Sequence, residues 1–208
     1  MSINLKKGQK IDLTKGGSGL SRIMVGLGWD EAQPAQGGGA FGLFKSKPQP
    51  KYEFDCDASV ILLNEMGKLY GSNAKDCLVY FGNLKHSSES IIHNGDNLTG
   101  AGDGDDEQIT VDLSLLPTGV DKLVFVVNIY DGEKRNQHFG MIENAFIRLV
   151  DLRNGSEICR FNLTEDYSGM TGMIVGEIYR YKGEWKFNAI GQPVKDAGRL
   201  QSLVNLYA

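Results

Sequence analysis

Apolar and polar residues alternate with a period of two along most of the chain, and this predicts strands. Arg22-Ile-Met-Val-Gly-Leu reads as an early strand ending at Gly28-Trp29-Asp30. Strands resume at Phe54–Leu63, followed by short ones at Leu78–Phe81 and Ser90–His93. Gln108–Leu113 alternates cleanly, with Ile109, Val111 and Leu113 on one face. Lys122–Tyr130 is apolar on both faces, which predicts the central buried strand. Asp131–Glu143 is polar and can hold a short helix or a long turn. Ala145–Val150 and Glu157–Leu163 flank Asn154-Gly155, a hairpin signal. Met173–Tyr181 and Glu184–Ile190 flank Lys182-Gly183, a second hairpin, with Trp185, Phe187 and Ala189 turned inward. Only the tail, residues 193–208, reads as helical: Leu200, Leu203, Val204 and Tyr207 recur at helical spacing, with Asp196 ahead as a cap.

About ten short strands joined by close turns predict an all-β fold, an antiparallel β-sandwich with a few short helices including a C-terminal one. Residues 1–208 show no internal repeat and no second core, so a single domain is expected. The alternation fails in residues 31–53, which are rich in Gln, Gly and Pro and read as a flexible insert. Phe41, Leu43 and Phe44 within it either tack the insert to the body or offer a partner a sticky contact; the first is expected.

Composition narrows the classes. The 41% hydrophobic content supports a real core, and the net charge of −4 argues against nucleic acid as a partner. Cys56, Cys77 and Cys159 lie far apart, without zinc spacing to His86, His93 or His138, and read as core thiols of a reducing compartment. The N-terminus lacks the apolar core of a signal peptide, and no apolar run approaches the ~20 residues of a membrane helix. A cytoplasmic protein without a transmembrane segment is expected.

The unusual chemistry lies between Asn94 and Glu107, where five carboxylates and four glycines share fourteen residues. No Lys or Arg occurs from His86 to Asp121, so the local sequence offers no counter-charge. Such a run is either a solvated acidic turn or a loop folded around a cation. Calcium, a hard ion taking about six to eight oxygen ligands, suits it best. The run is not an EF-hand: starting at Asp103, the sixth position is Gln108 instead of Gly. Nor is it a phosphate loop, because it lacks G-x-x-x-x-G-K-[ST]. Asp55 and Asp57 flank Cys56 at a strand start, which alternation places on one face as an exposed or ligating pair. Asp30 at a strand end is a further candidate carboxylate. His86 and His93 sit on different local elements and predict no metal or catalytic pair. No nucleophile–base arrangement is visible, and nothing favours a glycosidase carboxylate pair.

Several of these segments together resemble the TerD family of tellurite-resistance and general stress proteins. They are Val25-Gly-Leu-Gly-Trp-Asp30, Phe54–Lys68, Ile92–Glu107, Asn144-Ala-Phe-Ile-Arg148, Gly176-Glu-Ile-Tyr-Arg180 and Glu184–Gly191, and the likeness extends to about Gln192. The resemblance implies a β-sandwich that binds two calcium ions through a D-x-D strand and the acidic loop. Carried over, the implied ligands are Asp55, Asp57, Asp96, Asn97, Asp103, Asp105, Asp106 and Glu107. The insert is longer than in the shortest family members, Ser88-Glu89 replaces a common Asp-Gly, and the tail after Gln192 is not mapped onto the family pattern. The resemblance gives no molecular activity; the absence of positive residues near the loop favours a non-enzymatic sensor or scaffold, with other stress-resistance proteins as partners, at the inner membrane face. The alternative is a calcium-dependent enzyme or binder acting on an anionic small molecule or glycan, which a basic or aromatic pocket beside the ion would favour. Seven carboxylates against two Ca²⁺ leave the site negative by about three, which favours a regulated contact surface over an anion-binding centre.

Overall fold

The computed structural model describes residues 2–15, 19–31, 54–95 and 104–208. Two six-stranded sheets pack face to face. The first runs in the order β1 (Ile3–Leu5), β10 (Ser156–Asn162), β9 (Ile142–Asp151), β3 (Arg22–Glu31), β7 (Glu107–Asp112), β6 (Ile91–His93). The second runs β2 (Lys10–Asp12), β12 (Glu184–Val194), β11 (Gly172–Tyr181), β8 (Lys122–Ile129), β4 (Cys56–Leu63), β5 (Leu78–Val79). Each pairing is antiparallel except β1 with β10, which is parallel. The predicted all-β sandwich is therefore the fold, and both predicted hairpins, β9–β10 and β11–β12, are present.

The core lies between the inner faces, where Ile23, Val25 and Leu27 of β3 meet the same cluster as Val60, Leu62, Leu123 and Phe125. A second apolar cluster covers the outer face of the second sheet: Ile61, Leu63, Val124, Val126 and Ile174 pack with Leu203 and Val204. Both faces of β8 are thus buried, which is why that strand carries no polar alternation. The tail supplies the cover through α3 (Leu200–Val204) and a final 3₁₀ turn, Asn205–Tyr207.

Two expectations about that tail need correction. Strand β12 extends to Val194, so the helical part is shorter than residues 193–208. Asp196 does not cap the helix: Arg199 occupies the N-cap position, without a side-chain cap bond, and Asp196 turns the chain at φ +53°. Two short helices earlier in the chain, α1 (Ala74–Cys77) and α2 (Gly132–Arg135), add to the helical tail. The residues 32–53 of the insert, with Phe41, Leu43 and Phe44, lie outside the described residues.

Candidate functional site

At one end of the sandwich the C-terminal part of the acidic loop folds onto β3. The Asp106 amide donates to the Leu27 carbonyl at 2.8 Å, and the Trp29 amide donates to Asp106 Oδ2 at 2.7 Å. Side-chain volume in β3 is withheld where the loop lands. A Cβ on Gly26 would overlap the Asp105 carboxylate, and one on Gly28 would overlap the Phe146 ring and the Gly104 carbonyl.

The absence of a local counter-charge does not survive folding. Gly26 of β3 lies in register with Arg148 of β9, and Arg148 reaches across to the loop. Its Nε and Nη2 donate to the two Asp105 oxygens at 2.7 and 2.9 Å, and the Asp105 side chain is fully buried. Such a two-pronged ion pair satisfies the carboxylate without a metal. Asp105 is therefore committed to Arg148 as the structure stands. The reason is topological: β9 lies beside β3, although about 120 residues separate them in sequence.

Asp106 has the Trp29 amide and the Asp30 and Asp105 carboxylates in its surroundings. Burial pushes its carboxyl above the ordinary carboxylate range, the Trp29 amide pulls it down, and the Asp30 and Asp105 carboxylates push it up. Asp30 itself is exposed, and its Oδ2 accepts from Asn144 Nδ2 at 2.8 Å. Glu107 begins β7 and points inward with Ile109 and Val111. Its Oε2 lies 3.1 Å from His93 Nε2, both side chains being almost wholly buried. His93 Nε2 is also 3.1 Å from the Ala58 carbonyl, tying the first sheet to β4 of the second. His93 Nδ1 accepts from the Gly95 amide at 3.3 Å, so the network assigns the ring proton to Nε2. His86 takes no part: it bonds Ser88 Oγ and the Asp76 carbonyl. The His93–Glu107 contact is one that the local sequence does not reveal.

The D-x-D pair splits in environment. Asp57 is 7% exposed and accepts from Asn128 Nδ2 at 3.3 Å. Asp55 precedes the strand, with Arg135 Nη1 3.6 Å from its Oδ2. Cys56 between them points into the core. Burial raises its thiol far above the ordinary value, and the charges of Asp57, Asp55, Asp106 and Glu107 raise it further, in that order. The His93 contacts to Glu107 and to the Ala58 carbonyl place the two acidic segments at the same end of the sandwich.

Asp96, Asn97 and Asp103 lie outside the described residues. Among the described residues, no group of three or more His, Cys, Asp or Glu side chains is gathered tightly enough to hold a metal ion. The donors present suit a hard cation: Asp57, Asp106 and Glu107 bring carboxylate oxygens into a partly buried setting, while the neighbouring thiol is kept protonated.

The sequence profile of the TerD domain matches residues 1–207. The chain is 52% identical over 207 residues to stress response protein SCP2 of Bacillus subtilis, covering all of both chains. It is 42% identical to tellurium resistance protein TerD of Serratia marcescens, covering all of this chain and 97% of the relative. Among solved structures, a homologue of telluride resistance protein (TerD) from Streptomyces coelicolor superposes with a TM-score of 0.58 at 19% identity, over 85% of this chain and 92% of the other. That likeness supports the sandwich fold alone.

Proposed function

The chain belongs to the TerD family, and on that footing we propose that it is a calcium-binding stress-response protein of the tellurite-resistance type. It acts as a sensor or scaffold for other proteins and not as an enzyme. The observation that supports this reading is the seating of Asp106 against the end of β3, beside Asp105 and Asp30, where the Trp29 amide donates to its Oδ2 at 2.7 Å and burial raises its carboxyl. Ionised carboxylates kept at such a site call for a cation. Asp57, Asp106 and Glu107 would hold calcium together with Asp96, Asn97 and Asp103 of the loop, and Asp30 and Asp55 stand beside them. Calcium supplies positive charge that offsets the repulsion and crosslinks the loop to the strand ends. The chain's own residues then set the geometry: the Trp29 amide orients Asp106, Asn128 orients Asp57, and His93 orients Glu107.

Partners are other stress-resistance proteins, met in the cytoplasm or at the inner membrane face. No helix among the described residues is long and apolar enough to cross a membrane. Thermal unfolding tests the reading, because an ion that binds only the folded state stabilises it by mass action. The melting midpoint is expected to rise in calcium relative to chelator. An unchanged midpoint at calcium of about 1 mM, well above the Kd range of sensor sites, contradicts it.

A further inference from the structure

Two irregularities in the strand ladders fall on facing sheets of the sandwich. The β3–β9 pairing slips between Gly28 and Asp30, around Trp29, and the β8–β11 pairing slips between Ile174 and Gly176, around Val175. A slip of this kind bends the strand and interrupts the regular spacing of its side chains. A cavity of about 50 Å³ lies there, lined by Leu27 and Trp29 of the first sheet, by Val127, Met173 and Val175 of the second, and by Phe139 among others. A single water needs about 10–15 Å³ on the same measure, so the space holds several water-sized groups.

The lining is core, not surface: Leu27, Val127, Met173 and Val175 are each at most 4% exposed and belong to the cluster between the sheets. Polar groups in it are few. Trp29 is 6% exposed, and its Nε1 is buried with no hydrogen-bond partner among the described residues. Buried donors are ordinarily bonded, so this one calls for an acceptor brought from outside the chain. Glu165 and Tyr167 line the cavity and also an outer crevice of about 340 Å³, so the cavity adjoins solvent at the loop between β10 and β11. The Glu165 carboxylate is already engaged by Lys7 at 2.7 Å.

Water suits this space poorly, because each buried water wants about two to four polar partners. A charged ligand suits it worse, since an apolar lining does not repay the loss of hydration. An acceptor oxygen on a small apolar body matches both the lining and its orphaned donor. We propose that the cavity binds a small uncharged carbonyl compound, a ketone or aldehyde of about five non-hydrogen atoms, whose oxygen accepts from Trp29 Nε1. Among the described residues none of the acidic loop lines the cavity, so the inference stands apart from calcium.

The test is titration of the ¹⁵N-labelled full chain with 2-butanone, following the two indole N–H resonances. Trp29→Phe removes one signal and so assigns both. The Trp29 signal is expected to shift saturably, with half of the response reached by about 10 mM, while that of Trp185, outside the lining, stays in place. In Trp29→Phe the Met173 methyl, assigned through Met173→Leu, serves as the reporter. Butanone binding should weaken at least fivefold in that variant, whereas xenon, which needs only apolar space, should still shift the methyl. Ala145→Leu, or Val175→Leu if the first does not fold, fills the space and should abolish both responses. The proposal is overturned if the Trp29 signal is unmoved or only drifts linearly up to about 50 mM butanone, which would leave water as the occupant. It is equally overturned if Trp29→Phe binds butanone as the unaltered chain does, if xenon leaves the Met173 methyl unmoved, or if the filled variant responds unchanged.

Discussion

Gly26 is small because a carboxylate occupies the space its side chain would take. Asp105 lies against it, held by Arg148, and both charges are removed from full solvation. Gly26→Ala must displace that buried ion pair, so it should destabilise by about 1–3 kcal/mol, the usual range for overpacking. In a chain of this size each kcal/mol lowers the melting midpoint by about 2–4 °C. A midpoint equal to that of the unaltered chain would mean the loop does not rest on β3. Sequence reading reached some of these residues and missed others for identifiable reasons. Ile109, Val111 and Leu113 form one face of β7 by alternation, and the same alternation carried two residues back puts Glu107 inside. That signal was present but was overridden by the acidic character of the run. His93 carried the same kind of signal, two residues beyond Ile91. Arg148 could not have been found, because its meeting with Asp105 depends on β9 lying beside β3.

At the scale of elements, the chain leaving β3 and the chain entering β4 are clamped to each other. Glu31 Oε1 accepts from the Phe54 amide at 3.1 Å, so the ends of the 32–53 segment meet. A short Gly/Ser linker in place of residues 32–51 can span such a gap, and loop-closure entropy changes only slowly with length. The shortened protein should keep a single cooperative unfolding transition. Aggregation or loss of the transition, seen by circular dichroism, would place Phe41, Leu43 and Phe44 in the core. Strand positions were legible because period-two alternation is local. The short edge strands β1 and β2 were not, since three residues each carry too little pattern. The Asp196 cap failed for a related reason: spacing suggested a helix start, but the chain first turns at Asp196 and begins the helix after Arg199.

At the scale of the whole molecule, His93 links Glu107 at the end of the acidic loop to the Ala58 carbonyl beside the D-x-D pair, so both acidic segments belong to one end of the sandwich. Arg148, paired with Asp105, makes that end less uniformly negative than its sequence suggests. On the proposed reading, calcium arriving there would change local charge and order together, which suits a surface whose contacts are regulated. Sedimentation in cell extract should therefore differ between calcium and chelator; identical partner sets and oligomeric state would make the ion merely structural.

The central proposal is that Asp57 and Asp106 hold calcium. Calorimetric titration of the full chain with calcium measures this directly. On the proposed reading, about two ions per chain are expected. Asp106→Asn and Asp57→Asn should each weaken binding at least tenfold, about 1.4 kcal/mol. Asp121→Asn, whose carboxylate faces Arg180 at 3.7 Å, should bind as the unaltered chain does. Equal binding by all three variants, or no heat of binding in the unaltered chain, would contradict the account.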